Sequence, residues 1–184
     1  MRDRGLRDVF LRRAIASFYD SPMDKRVLVD QLAQRLREVV RSAHRASEEA
    51  AHEAREGATP AERREDARVA LENSGLARGQ EQRALQATSD LAALEKFHPG
   101  DFPPNALIGL GAIVEVEDEE GGRTLFLAPV GAGQELQVPG GDGFLSVITP
   151  SSPVGRALLG KRKGDSVEVS VAGEVRELDV TFVC

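Results

Sequence analysis

The sequence predicts an α+β protein: an N-terminal antiparallel helical hairpin, then a small antiparallel β domain carrying one short helix. Three observations lead there. Residues 24–97 form one long run of Ala, Arg, Glu, Gln and Leu, broken once, at Glu56-Gly57-Ala58-Thr59-Pro60. Beyond His98 the texture changes to short apolar segments punctuated by glycine. Between the two lies His98-Pro99-Gly100-Asp101-Phe102-Pro103-Pro104, whose prolines end any helix that reaches them. The expected organisation is an extension over 1–22, a hairpin over 23–97, a linker over 98–104 and a β domain over 105–184.

The first 20 residues mix five arginines with Leu6, Val9, Phe10, Leu11 and Phe18. Charges interrupt any apolar core, so the segment is not a secretory signal. It reads either as a short amphipathic helix or as an upstream extension of a chain that starts at Met23.

Ser21-Pro22-Met23-Asp24 has the chemistry of a helix start, with Ser21 as N-cap, Pro22 at the first helical position and an acid at the third. Leu28, Leu32, Leu36, Val39, Ala43, Ala46, Ala50 and Ala54 then recur at steps of three and four, marking one apolar stripe. The stripe shrinks from Leu to Ala toward the break. On the return helix Ala70, Ala77, Ala84 and Ala87 lead to Leu91 and Leu94, so the order reverses. That taper matches an antiparallel pair, with leucines meeting at the base and alanines at the tip. From Asp24 to the break at Gly57 the first helix is on the order of 50 Å long at about 1.5 Å per residue. Gly75 and Gly79 are expected either to permit close helix contact or to mark a bend. At the tip, Thr59-Pro60-Ala61-Glu62 reads as a capping box.

In the β domain, Ile113–Glu117 alternates apolar and acidic residues, and Glu120-Gly121-Gly122 turns it into Thr124–Leu127. Residues 131–143 are Gly-rich and read as a loop ahead of Phe144–Ile148. Ser152 caps a short helix over Pro153–Leu159 that ends at Gly160. Val167–Val171 and Val175–Val183 close the domain as a hairpin around Ala172-Gly173.

Composition narrows the function. No apolar stretch approaches the roughly 20 residues of a membrane span. The only cysteine is Cys184, which rules out a disulfide framework or a cysteine-based zinc site and fits a cytoplasmic setting. Residues 98–184 carry 6 Lys/Arg against 13 Asp/Glu, a balance that repels nucleic acid phosphates and suits a protein partner better. His44 and His52 lack a third ligand and read as surface residues. Gly131-Ala132-Gly133 lacks the Lys-Ser/Thr of a phosphate-binding loop.

The most specific signal is the run Ile148-Thr149-Pro150-Ser151-Ser152-Pro153-Val154-Gly155-Arg156-Ala157-Leu158-Leu159-Gly160-Lys161, followed by Gly164-Asp165-Ser166-Val167-Glu168-Val169. It closely resembles the C-terminal domain of bacterial Gre-type transcription elongation (transcript cleavage) factors, and an antiparallel coiled coil precedes it, as in that family. The resemblance implies a C-terminal domain of FKBP-like fold. It further implies a factor with no active site of its own, a monomer, that binds bacterial RNA polymerase. The coiled coil would enter the secondary channel, near the nascent RNA 3′ end, while Ser151, Ser152, Pro153 and Arg156 contact the channel rim. Tip acids would share a Mg²⁺ with the polymerase, which then cleaves backtracked RNA itself.

The tip departs from the usual Gre pattern and looks like a divergent Gre-like branch, where Asp66, with Glu65 beside it, best matches the acidic position ahead of Arg68 and Leu71-Glu72. Three acids face three arginines across Glu62–Arg68, which leaves a second reading open: a non-cleaving secondary-channel regulator that inhibits or modulates transcription. Prolyl isomerase activity is rejected, because such a pocket is rich in aromatics and this chain has no Trp and a single Tyr, at position 19.

Overall fold

The first helix, α1, spans Lys25–Glu56 and takes Asp24 as its cap. The Asp24 carboxylate accepts from the Arg26 N–H at 3.0 Å and its carbonyl from the Val27 N–H at 3.1 Å. A carboxylate meets the unpaired N–H groups of a first turn as well as a serine does, so Asp24 closes the start of α1. A computed structural model describes residues 24–56, 67–103, 105–138, 143–171 and 173–184. Ser21, Pro22, the tip turn, the Thr59 capping box, Glu65 and Asp66 lie outside them. None of the described helices is long and apolar enough to cross a membrane.

The second helix, α2, spans Ala67–Glu95. Leu32–Lys96 form one compact unit. Ten residues join the helices, and ten extended residues reach about 35 Å, less than the roughly 48 Å rise of α1. Helices sharing that unit therefore run antiparallel. Leu32, Leu36 and Ala43 on α1 and Ala87 and Leu94 on α2 are buried, as the stripe requires. Val39 and Ala46 are exposed, so the buried stripe is narrower than the sequence predicts. Among the described residues, a Cβ on Gly79 would meet nothing within 4 Å.

The second unit comprises Phe97–Cys184 with the start of α1 up to Gln31. Six strands form one sheet in the order β3-β4-β2-β1-β6-β5: β1 Ile113–Asp118, β2 Gly121–Leu127, β3 Glu135–Gln137, β4 Phe144–Ile148, β5 Ser166–Val171 and β6 Glu174–Val183. A short helix, α3 (Pro153–Leu158), follows β4. The β1–β2 turn sits one residue earlier than expected, because Asp118 accepts from the N–H groups of Glu120 and Gly121 and closes the turn itself.

Two features depart from the expected all-antiparallel sheet. The segment read as a loop contains β3, antiparallel to β4 with Leu136 opposite Leu145. The chain then crosses over, and β4 lies parallel to β2, with Phe126 opposite Val147. Three residues between glycine-rich flanks leave too little alternation to mark a strand. Its open edge is covered by a side chain. The Gln31 amide donates to the Gln137 carbonyl at 2.9 Å and accepts the Gln137 N–H at 3.0 Å, reproducing the paired bonds of a neighbouring strand.

Both faces of the central strands are buried. On one, Val114, Val116, Leu125, Leu127, Ile148, Val167, Val169, Leu178, Val180 and Val183 form the core with Leu158 of α3. On the other, Ile113, Phe126, Leu136, Leu145 and Val147 are buried. Lys25 is buried too. Its Nζ donates to the Gly100 carbonyl at 2.9 Å and lies 4.7 Å from the Phe102 ring centroid.

Candidate functional site

The loop from Thr149 to Arg156 leaves the end of β4 and turns straight into α3. Ser152 sits in extended backbone (φ −71°, ψ 152°) with Pro153 opening the helix. All the hydrogen-bonding capacity of its hydroxyl is used inside the loop. Oγ donates to the Thr149 carbonyl at 2.8 Å and accepts the N–H groups of Gly155 at 3.1 Å and Thr149 at 3.3 Å. The Thr149 carbonyl also accepts the Ser152 N–H at 2.9 Å. A second pair closes the outer side, with the Thr149 and Ser151 hydroxyls 3.0 Å apart.

Gly155 makes this fold-back possible. A Cβ there would lie 2.0 Å from the Thr149 carbonyl oxygen and 2.9 Å from Ser152 Oγ, so no other residue fits. Leu158, one turn later, is fully buried and anchors α3 to the sheet. At its C-terminal end the Leu159 N–H bonds the Gly155 carbonyl, and Gly160 turns the chain in the left-handed region (φ 76°).

The four residues expected at the polymerase rim thus fall in one turn, with different capacities. Ser152 shapes the loop and has no hydroxyl bond left for a partner. Ser151, Pro153 and Arg156 are exposed, and the Arg156 guanidinium has no ion-pair partner among the described residues. The arrangement offers a partner a rigid edge with one hydroxyl, one apolar ring and one cation. Thr149 and Gly155, which are not among those four, hold that edge in place. The signal for Gly155 lay in its position two residues after the helix-opening proline, where only a close backbone approach would select glycine. No cluster of three or more His, Cys, Asp or Glu positioned to hold a metal occurs among the described residues.

A family model described as transcription elongation factor, GreA/GreB, C-terminal, matches residues 103–183, the whole of the sheet and α3. The transcription elongation factor GreA of Verminephrobacter eiseniae is 31% identical over 115 residues, covering 62% of this chain and 67% of that protein. GreA of Ralstonia nicotianae is 33% identical over 115 residues with the same coverage. The crystal structure of GreA factor homolog 1 (Gfh1) from Thermus thermophilus aligns over 85% of this chain and 94% of its own at 22% identity, with a TM-score of 0.35. The sequence matches carry the assignment, and the matched region contains the loop just described: the chain belongs to the GreA/GreB family of transcription elongation factors.

Proposed function

We propose that this protein is an accessory factor that docks on the rim of the RNA polymerase secondary channel and inserts its helical hairpin to promote cleavage of backtracked RNA by the polymerase. The observation that carries this reading is the Thr149–Arg156 loop. A serine and a glycine are spent entirely on holding a short edge rigid, and that edge ends in an unpaired arginine. Fixed cations and small apolar groups on a rigid frame suit recognition of a protein surface.

In this reading Ser151, Pro153 and Arg156 touch the rim and Ser152 positions them. At 32 residues, α1 has the length, roughly 48 Å, to reach deep into a channel. Glu65 and Asp66, in the segment that joins the helices, are the carboxylates proposed to share a Mg²⁺ with the polymerase near the RNA 3′ end. Their carboxylate oxygens are the donors such a cation takes, and a divalent cation held there would supply Lewis-acid activation of a water and a phosphate. The factor acts as a monomer and contributes ligands only.

The test is a backtracked elongation complex incubated with this protein and Mg²⁺. Shortened RNA is expected, and Glu65→Ala with Asp66→Ala should abolish it without loss of binding. Binding with no shortened RNA would eliminate the cleavage role. The second reading, a channel regulator that inhibits without cleaving, is favoured by one observation: the three acids of Glu62–Arg68 are balanced by Arg63, Arg64 and Arg68. It predicts that the double alanine variant inhibits transcription as well as the parent does.

A further inference from the structure

The β domain is acidic, yet its free cations lie in one place. Of the six Lys/Arg in residues 98–184, Arg123 and Arg176 are held by Asp118, Glu120 and Glu174. The other four are Arg156, Lys161, Arg162 and Lys163, within eight consecutive residues that contain no acid. All four are exposed, and none has an ion-pair partner among the described residues. The nearest acid in sequence, Asp165, gives a carboxylate oxygen to the Arg162 backbone N–H at 3.0 Å.

Two exposed leucines flank this strip. Ile108 is buried and bridges to it through the backbone, donating to the Lys161 carbonyl at 2.7 Å and accepting the Gly160 N–H at 2.9 Å. Its neighbour Leu107 is 53% exposed, and Leu159, on the other side of the bridge, is 46% exposed. Leu159 caps the C-terminal end of α3, three residues after Arg156. Single exposed leucines are ordinary. Two beside the only free cations of an acidic domain form a patch of defined chemistry.

We propose that Leu107, Leu159 and Lys161-Arg162-Lys163 extend the docking edge beyond Arg156, and that they bind an acidic protein surface with apolar residues at its centre. The inference rests on the docking reading above and names the chemistry of the surface it meets. Apart from Asp165 at the strip itself, two paired arginines stand against twelve acids in the rest of residues 98–184, a balance that disfavours an acidic partner there. The strip therefore sets the orientation in which the domain lands. Nucleic acid would share the attraction to the cations, but the strip holds no aromatic side chain on which a base would stack.

The experiment measures binding of the labelled full chain to bacterial RNA polymerase core enzyme across a salt series. Lys161→Gln, Arg162→Gln and Lys163→Gln together should raise Kd about tenfold at low salt and flatten the salt dependence. Leu107→Ser with Leu159→Ser should weaken binding at every salt concentration, and Glu168→Gln, on the acidic sheet, should change nothing. Melting temperatures near that of the parent establish that each variant is folded. If the triple glutamine variant binds with unchanged Kd and salt slope while Arg156→Ala weakens binding, the strip is overturned and the docking reading stands. If the parent chain binds no polymerase, both fall. Tight binding of a single-stranded RNA that the triple variant loses, with polymerase binding unaffected, overturns the protein-surface assignment.

Discussion

Substituting Gly155 by alanine is the sharpest probe of the loop. The added Cβ would sit 2.0 Å from the Thr149 oxygen and 2.8 Å from its carbonyl carbon, both backbone atoms that no side-chain rotation can move. Relief requires the Thr149 carbonyl and the start of α3 to separate by roughly 1 Å, beyond the tolerance of a hydrogen bond. The two bonds that carbonyl accepts, from the Ser152 N–H at 2.9 Å and Ser152 Oγ at 2.8 Å, would break or stretch. At about 0.5–1.5 kcal/mol each they amount to about 1–3 kcal/mol, and loss of the cap adds about 1 kcal/mol. A total near 3 kcal/mol corresponds to a fall in Tm of roughly 10–20 °C for a domain of this size. Differential scanning calorimetry of the full chain measures the shift, and amide exchange at Gly155, Arg156 and Leu159 locates it. An alanine variant that melts within about 2 °C of the parent would refute the argument, since the close approach would then carry no energetic weight.

Three further outcomes follow from other contacts. Ser152→Ala should cost about 1 kcal/mol and accelerate exchange at the Gly155 amide, with Ser152→Thr recovering most of the loss. Burial pushes the Cys184 thiol above its usual 9.0, with the Lys25 charge opposing that rise. Alkylation of Cys184 at pH 8, followed by mass spectrometry, should therefore run slower than for free cysteine and slower still in Lys25→Met. The folded chain keeps its thiol proton to higher pH than the unfolded chain, so the Cys184 contribution to stability is full below pH 9.0 and lost as pH rises through the raised folded value. Glu168 and Glu177 stand directly opposite on β5 and β6, so Glu168→Lys should raise Tm by roughly 2–4 °C, an effect that salt diminishes.

Much of the fold was legible because it rests on local periodicity. The stripe from Leu28 to Ala43 marks α1, the alternation in Ile113–Glu117 marks β1, and Ser152-Pro153 marks the start of α3 to the residue. The errors share a physical origin. Strand β3 went unread because three residues have no period, and its edge is completed by Gln31, 106 positions away in the chain. The parallel pairing of β4 with β2 was equally unreadable, since strand direction depends on where a long crossover returns.

The candidate site divides in the same way. Its residue types were all present in one motif, so Ser151, Ser152, Pro153 and Arg156 were found together. Their roles were not separable by sequence, because whether a serine hydroxyl faces inward or outward depends on the carbonyl it meets. The structure commits Ser152 to Thr149 and leaves Arg156 outward.

By itself the sequence determined the helical hairpin, most of the strands and membership in the GreA/GreB family, because those depend on patterns between near neighbours and on one long motif. Only the tertiary structure decided why Gly155 must be glycine, how β3 is shielded, and that Ile108 ties the backbone of Gly160 and Lys161 beside α3. Each of those depends on atoms brought together by chain reversal, and the energy of such an approach is set by distance in space, not by separation along the chain.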